Sequence, residues 1–250
     1  MLLRTKIWGE SEMAKALVIG CDPLTQNIGD PEEYCFYGNV YYRGKPFVKS
    51  ELLKYNYSKK VHDYIREISG NTLADNQLYF LNMHPMFPDP LPPEGKKPLM
   101  TESVTSFGLS DLKTVLASCP NLRYIFAMDI QVNYWLQLLG VYWSGRNFTF
   151  KAAPKLDYVV RKKPFYEPED ENIFSEILGK GYAVLEYPYI ICFPIYHIND
   201  YEDHKVDPEI RRAYGNIVDV IKDKTKSEVF VMNSGLAKER LKLMKEKNRL

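Results

Sequence analysis

Polar residues follow several of the apolar runs that predict buried strands, and they are the first candidates for chemistry. Asp22 comes shortly after the run KALVIG, Asn82 ends the run LYFLN, and His197 follows YIICFPIY. A carboxylate can orient water or stabilise a positive charge, and a side-chain amide offers both a donor and an acceptor. Because open parallel sheets bind ligands at the carboxyl ends of their strands, we expect these side chains to line a ligand site.

The elements that must position these residues alternate along the chain. Predicted strands cover residues 15–20, 78–82, 123–128 and 189–193, with a fifth candidate at 228–232. Predicted helices cover residues 50–68, 110–119 with Ser110 as its N-cap, 130–139, 208–223 and 235–247. Strands that alternate with helices predict an α/β protein, a three-layer α/β/α fold with a central, mostly parallel sheet of four or five strands.

One domain over residues 1–250 accommodates this pattern. The segment at about 140–187 is less regular and combines the alternating FTFK with a basic RKK and an acidic EPEDE. We interpret it as an insertion between the third and fourth core strands. Its surface is a candidate binding site for a protein partner.

Composition limits the classes of function. Hydrophobic residues make up 45% of the chain and charged residues 26%, which is typical of globular proteins. No run approaches the roughly 20 apolar residues that span a membrane, and acidic residues interrupt the first twenty positions, so we expect a cytoplasmic protein without a membrane partner. A net charge of +1 argues against a large sequence-independent DNA footprint, so any DNA binding requires a local basic patch.

The cysteines form no CxxC pair, and most lie in apolar runs. They are Cys21, Cys35, Cys119 and Cys192. Zinc and iron–sulfur sites use closely spaced ligand pairs, so this pattern predicts buried thiols in a reducing compartment and no metal site.

Four segments together resemble the uracil-DNA glycosylase superfamily. VIGCDP followed by EYCFYG is similar to that family's water-activating motif, GQDPYH, and the Gly-Leu-Cys-Phe-Ser segment after it. LYFLN resembles the strand that ends in Leu-Leu-Asn, RYIFAMD resembles the third strand, and YIICFPIYH takes the place of His-Pro-Ser-Pro. The resemblance covers most of residues 14–139 and 188–223 and none of 140–187.

This resemblance implies a DNA glycosylase that hydrolyses the N-glycosidic bond of a flipped uracil or other deaminated or damaged base, without metal or organic cofactor. It implies that Asp22 positions the water, that Phe36 stacks on the base and that Asn82 reads its Watson–Crick edge. Such enzymes extrude the base and hold it by stacking and edge hydrogen bonds. Further base-binding positions implied by the resemblance are Cys21, Leu24 and Phe193.

The chain departs from the family pattern at three places. Leu24 stands where the family has the Tyr that walls off the thymine methyl group, and Thr25 stands where it has His. Phe193 occupies the place of the histidine that hydrogen-bonds the leaving base. His197, four residues later, either substitutes for that histidine as a catalytic group or fills the wedge position in the DNA stack.

Two other classes of function remain as alternatives. One is a non-catalytic member of the same fold that binds a nucleobase, a nucleotide or a partner protein. The other is an unrelated hydrolase, which the absence of GxSxG, Walker and GxGxxG motifs disfavours. The candidate residues also have purely structural interpretations: Asp22 as a turn residue, Phe36 as a core aromatic and Asn82 as a satisfied buried amide.

Overall fold

A computed structural model describes residues 9–21, 41–42, 45–46, 57–85, 102–145, 174–223 and 229–230, together with residues 239 and 242. The chain divides into two units, Met1–Leu122 and Arg123–Leu250, which are considered separately below. The predicted site residues Asp22, Leu24 and Phe36 lie outside the described residues, as does most of the predicted closing helix at 235–247.

The first unit is built on a parallel pair of strands. Strand β1 (Ala16–Gly20) is buried at every position, as its apolar, β-branched composition predicts. Two short strands, β2 (Tyr41–Tyr42) and β3 (Lys45–Pro46), pair with each other in antiparallel fashion. Strand β4 (Leu78–Asn82) runs parallel to β1, in a register that aligns its last residue with Gly20.

Two long helices belong to the first unit. Helix α1 covers Tyr57–Ile68 and helix α2 covers Glu102–Ser118, which contacts β4. The prediction that Ser110 begins this second helix is wrong, because the helix starts two turns earlier. The buried residues Thr105 and Gly108 lie in those extra turns, and packing against the end of β4 outweighs the local capping preference of a serine.

The described residues of the second unit include four strands. They are β5 (Tyr124–Met128), β6 (Gly181–Ala183), β7 (Ile191–Ile195) and β8 (Val229–Phe230). Strands β5 and β7 are parallel, β6 pairs with β7 in antiparallel fashion, and β8 is parallel to β6. Strand β6 was not predicted, and it lies within the segment interpreted as an insertion. The fourth predicted strand extends two residues further than expected, through Ile195.

Helices alternate with these strands in the described part of the second unit. Helix α3 (Ile130–Leu138) contacts β5, a short α4 covers Ile198–His204, and α5 (Pro208–Ile221) contacts β6. The start of α5 is fixed locally, because Asp207 accepts a hydrogen bond of 2.8 Å from the backbone N–H of Glu209 and a proline takes the first helical position.

Apart from the short pair β2 and β3, the described residues contain six strands, one more than the upper bound of the prediction. The strands are mostly parallel and helices flank them, so the predicted α/β fold class is confirmed. Within the part of the chain that the structure describes, no helix combines the length and apolar character needed to cross a membrane.

Candidate functional site

The carboxyl ends of β1 and β4 form the first candidate site. The hydrogen-bonded ladder continues past both strands, with Met83 N–H donating to the carbonyl of Gly20 and His84 N–H to the carbonyl of Cys21, each at 2.8 Å. Cys21, Asn82 and His84 are all buried. The backbone that carries Asn82 is therefore rigid, which is the condition for aiming a side chain at a ligand.

Asn82 is the most informative residue of this end of the first unit. Its side chain is 2% exposed, and neither its amide nitrogen nor its amide oxygen has a hydrogen-bond partner among the residues that the structure describes. The residue aligned with it on β1 is Gly20, which presents no side chain on the face that Asn82 shares. An unpaired buried polar group costs about 1–3 kcal/mol, so this arrangement destabilises the ligand-free fold and suits a ligand that pairs with the amide.

Asn133 in α3 is a buried asparagine whose side-chain amide has a structural role. Its Nδ2 donates to the carbonyls of Ala127 and Asp129, each at 2.8 Å, and its Oδ1 accepts from the hydroxyl of Tyr142 at 2.7 Å. Asn133 and Asn82 are both buried. Both polar atoms of the Asn133 amide are hydrogen-bonded, whereas neither polar atom of the Asn82 amide has a partner among the described residues. The interpretation of Asn82 as a satisfied structural amide thus finds no support in the described contacts.

The carboxyl end of β7 forms the candidate site of the second unit. Because β7 continues through Ile195, the first residues beyond the strand are Tyr196 and His197. His197 is 7% exposed, and its carbonyl accepts the backbone N–H of Tyr201 at 2.9 Å as α4 begins. The histidine is therefore the polar side chain that follows this strand end.

Phe193, predicted to contact the base, lies inside the strand. Its ring is fully buried and packs against Phe126 and Tyr124 of β5, with ring centroids 5.8 Å and 6.2 Å away. These contacts give Phe193 a packing role in the core of the second unit. The base-contacting role of Phe193 stays a prediction, and the end of the strand lies two residues beyond it, at Ile195.

A proline inside β7 explains why the strand end was misplaced. Pro194 lies beyond the pairs Tyr182–Cys192 and Ala183–Ile191 that join β6 to β7, so its missing N–H interrupts no ladder bond to β6. Its carbonyl accepts the N–H of Gly179 at 2.8 Å.

Asp129 stands at the end of β5, where the sequence marked a strand end without assigning the residue a role. Its φ is +82°, unusual for a residue other than glycine, and its carboxylate accepts the N–H of Gln131 at 2.9 Å to cap α3. Its own N–H donates to the carbonyl of Ile195 at 3.0 Å and ties the ends of β5 and β7 together.

Two of the buried thiols, Cys119 and Cys192, are poor nucleophiles near neutral pH. Burial raises the pKa of the Cys192 thiol far above its ordinary range and raises that of Cys119 to a smaller extent, so both stay protonated near neutral pH. Within the described ranges, no group of three or more His, Cys, Asp or Glu residues is arranged to hold a metal ion.

The fold and these strand ends define an α/β protein with buried polar side chains at the carboxyl ends of its parallel strands, Asn82 in the first unit and His197 in the second. No protein-family model matches the chain, and comparison with curated proteins gives no match either.

Proposed function

We propose that this protein is a DNA glycosylase of the uracil-DNA glycosylase type, which hydrolyses the N-glycosidic bond of a flipped uracil or other deaminated base. One observation carries the proposal: a buried carboxamide, Asn82, ends a parallel strand with no hydrogen-bond partner among the described residues. A uracil edge offers a carbonyl next to a ring N–H, which complements the donor and the acceptor of an amide. Binding such an edge recovers the hydrogen bonds that the free protein lacks.

The end of β7 supports His197 as the group that hydrogen-bonds the leaving base. The strand ends two residues before it, and this position supports a displacement of the family motif along the chain. A wedge residue must enter the DNA stack from an exposed position, whereas His197 is buried. Its burial therefore favours the leaving-base role over the wedge role.

The proposed reaction is a hydrolysis. Asp22 orients a water and stabilises positive charge on the sugar, the electron pair of the glycosidic bond leaves with the base, and His197 donates a hydrogen bond to the base anion. The water oxygen bonds to C1′ and its surplus proton is released, giving free base and an abasic site. Phe36 stacks on the flipped base, at roughly 1–3 kcal/mol per stacked base.

Release of free base from single- and double-stranded oligonucleotides that contain uracil or hypoxanthine tests the proposal. We expect the wild-type protein to release base and Asn82→Leu to lose about 100-fold in kcat/KM, since two hydrogen bonds of about 1.4 kcal/mol each are removed. Asn121→Ala is the matched control, because this exposed amide donates a hydrogen bond to the carbonyl of Glu12, and the change should leave the rate unchanged.

The same assay distinguishes the non-catalytic alternative. Binding of a uracil-containing strand that survives Asp22→Asn, with no base released by the wild-type protein in excess over substrate, would replace the glycosylase by a nucleobase-binding protein. Absence of both binding and release would reject the proposal altogether.

A further inference from the structure

The loop that carries His197 donates a backbone hydrogen bond to a helix residue eighteen positions further along the chain. The backbone N–H of Tyr196, the first residue after β7, donates to the hydroxyl of Tyr214 at 3.1 Å. Tyr214 lies on α5 and is buried. Where β7 ends, its hydroxyl thus accepts a backbone hydrogen bond of the kind that a neighbouring strand accepts within the sheet.

Two further hydrogen bonds connect helix α5 to the same end of β7 through Gly179. Asn216 Nδ2 donates to the carbonyl of Gly179 at 3.0 Å, and the N–H of Gly179 donates to the carbonyl of Pro194 at 2.8 Å. Gly179 has a φ of +66°, and a Cβ there would come within 2.3 Å of the carbonyl oxygen of Ala213, so only glycine permits this approach. The position of Tyr214 relative to β7 is therefore fixed by contacts other than its own hydroxyl.

The ring of Tyr196 is held separately from its backbone. It packs edge-on against Phe174, with ring centroids 5.5 Å apart, and lies 5.8 Å from the ring of His204. Removing the Tyr214 hydroxyl would leave these ring contacts in place and take away the acceptor of the Tyr196 N–H. A variant that lacks the hydroxyl therefore removes this hydrogen bond, one residue before His197, without truncating either ring.

We propose that Tyr214 is a positioning residue for His197: its hydroxyl fixes the peptide N–H of Tyr196 and thereby the direction in which the His197 imidazole points. The catalytic consequence rests on the proposed function, whereas the effect on the imidazole itself does not. A displacement of about 1 Å at a reacting group can lower a rate about 100-fold, so one loop hydrogen bond is enough to matter.

The test compares Tyr214→Phe with Tyr201→Phe. Tyr201 is equally buried and packs edge-on against Tyr214, with ring centroids 5.2 Å apart, so the control removes a neighbouring hydroxyl from the same layer. The imidazole signals are followed by NMR across a pH titration. The chain has four histidines, and the His197 signal is assigned by its loss in His197→Gln.

We expect Tyr214→Phe to change the chemical shift and titration midpoint of His197, with the signals of His62 and His84 in the first unit as unchanged references. In the base-release assay we expect kcat to fall roughly 10- to 100-fold with little change in KM, together with a shifted limb of the pH–rate profile. Tyr201→Phe should reproduce neither effect.

The outcomes separate the two proposals. An inactive wild-type protein rejects the glycosylase function, while the NMR comparison still decides whether Tyr214 orients His197. Unchanged His197 signals in Tyr214→Phe, or equal changes in both variants, overturn the positioning role. If Tyr214→Phe fails to fold, a ring-fluorinated tyrosine introduced in place of Tyr214 weakens the acceptor without altering the ring packing, and the same criteria apply.

Discussion

Replacement of Asn82 by leucine should stabilise the ligand-free protein while it removes function. The amide is buried and neither polar atom is paired within the described part of the chain, at a cost of about 1–3 kcal/mol for each unpaired buried group. Leucine keeps the branching at Cγ and adds apolar burial, against which some overpacking must be set. We therefore expect the free energy of unfolding to rise by about 1–3 kcal/mol.

Urea denaturation measures this change as a higher midpoint at an unchanged m-value. For a chain of this length each 1 kcal/mol corresponds to roughly 2–4 °C in Tm, so thermal unfolding gives an independent measurement. The opposite responses of stability and base release are the signature of a residue kept for its ligand rather than for the fold.

Asn133→Leu is the matched control, an equally buried asparagine whose amide makes three hydrogen bonds. Its removal leaves the buried Tyr142 hydroxyl and two backbone carbonyls without that partner, so we expect a loss of about 3 kcal/mol or more. If Asn82→Leu destabilised the protein as much as Asn133→Leu does, the Asn82 amide would be structural and the proposed function would lose its main support.

Three further predictions concern stability, and denaturation curves check each. Gly108→Ala should cost about 1–3 kcal/mol, because the new methyl group would come within 2.3 Å of the carbonyl oxygen of Met83, next to Asn82; an unchanged midpoint would contradict this contact. Gly215→Ala, in α5 with no atom within 4 Å of the added Cβ, should instead stabilise by roughly 0.5–1 kcal/mol, and a loss of stability would show hidden crowding. Burial raises the pKa of the Cys192 thiol above its ordinary value of 9.0, so the unfolded chain loses this proton first as pH rises. The contribution of Cys192 to the free energy of unfolding should therefore be constant below pH about 9 and fall above it by up to about 1.4 kcal/mol per pH unit. Cys192→Ala should make that decline shallower. An equally steep decline in both proteins would refute this contribution.

Much of the fold follows from local sequence patterns. The apolar runs at Ala16–Gly20, Leu78–Asn82 and Tyr124–Met128 are strands as predicted, because such runs gain most when they are buried on both faces. Helix α5 begins at Pro208, as predicted, and Asp207 caps it through a neighbour only two residues away. The positions of Asn82 at the end of one strand and of His197 after another follow from the same patterns.

The details of the candidate site depend on contacts between residues distant in sequence. Nothing near Pro194 indicates that β7 continues through it, because that depends on where the ladder to β6 stops. The burial of Phe193 between β5 side chains and the hydrogen bond from Tyr196 to Tyr214 are likewise contacts between separate elements.

The sequence by itself therefore determined which residues form the strands and which polar groups follow them, since local propensity and hydrophobic pattern act within a few residues. Only the tertiary structure decided which of those groups are paired. Asn82 and Asn133 are the same residue type and are equally buried, yet one lacks hydrogen-bond partners in the described chain and the other has three. That difference arises from packing between elements, because a hydrogen bond requires a partner that chain folding brings within about 3 Å.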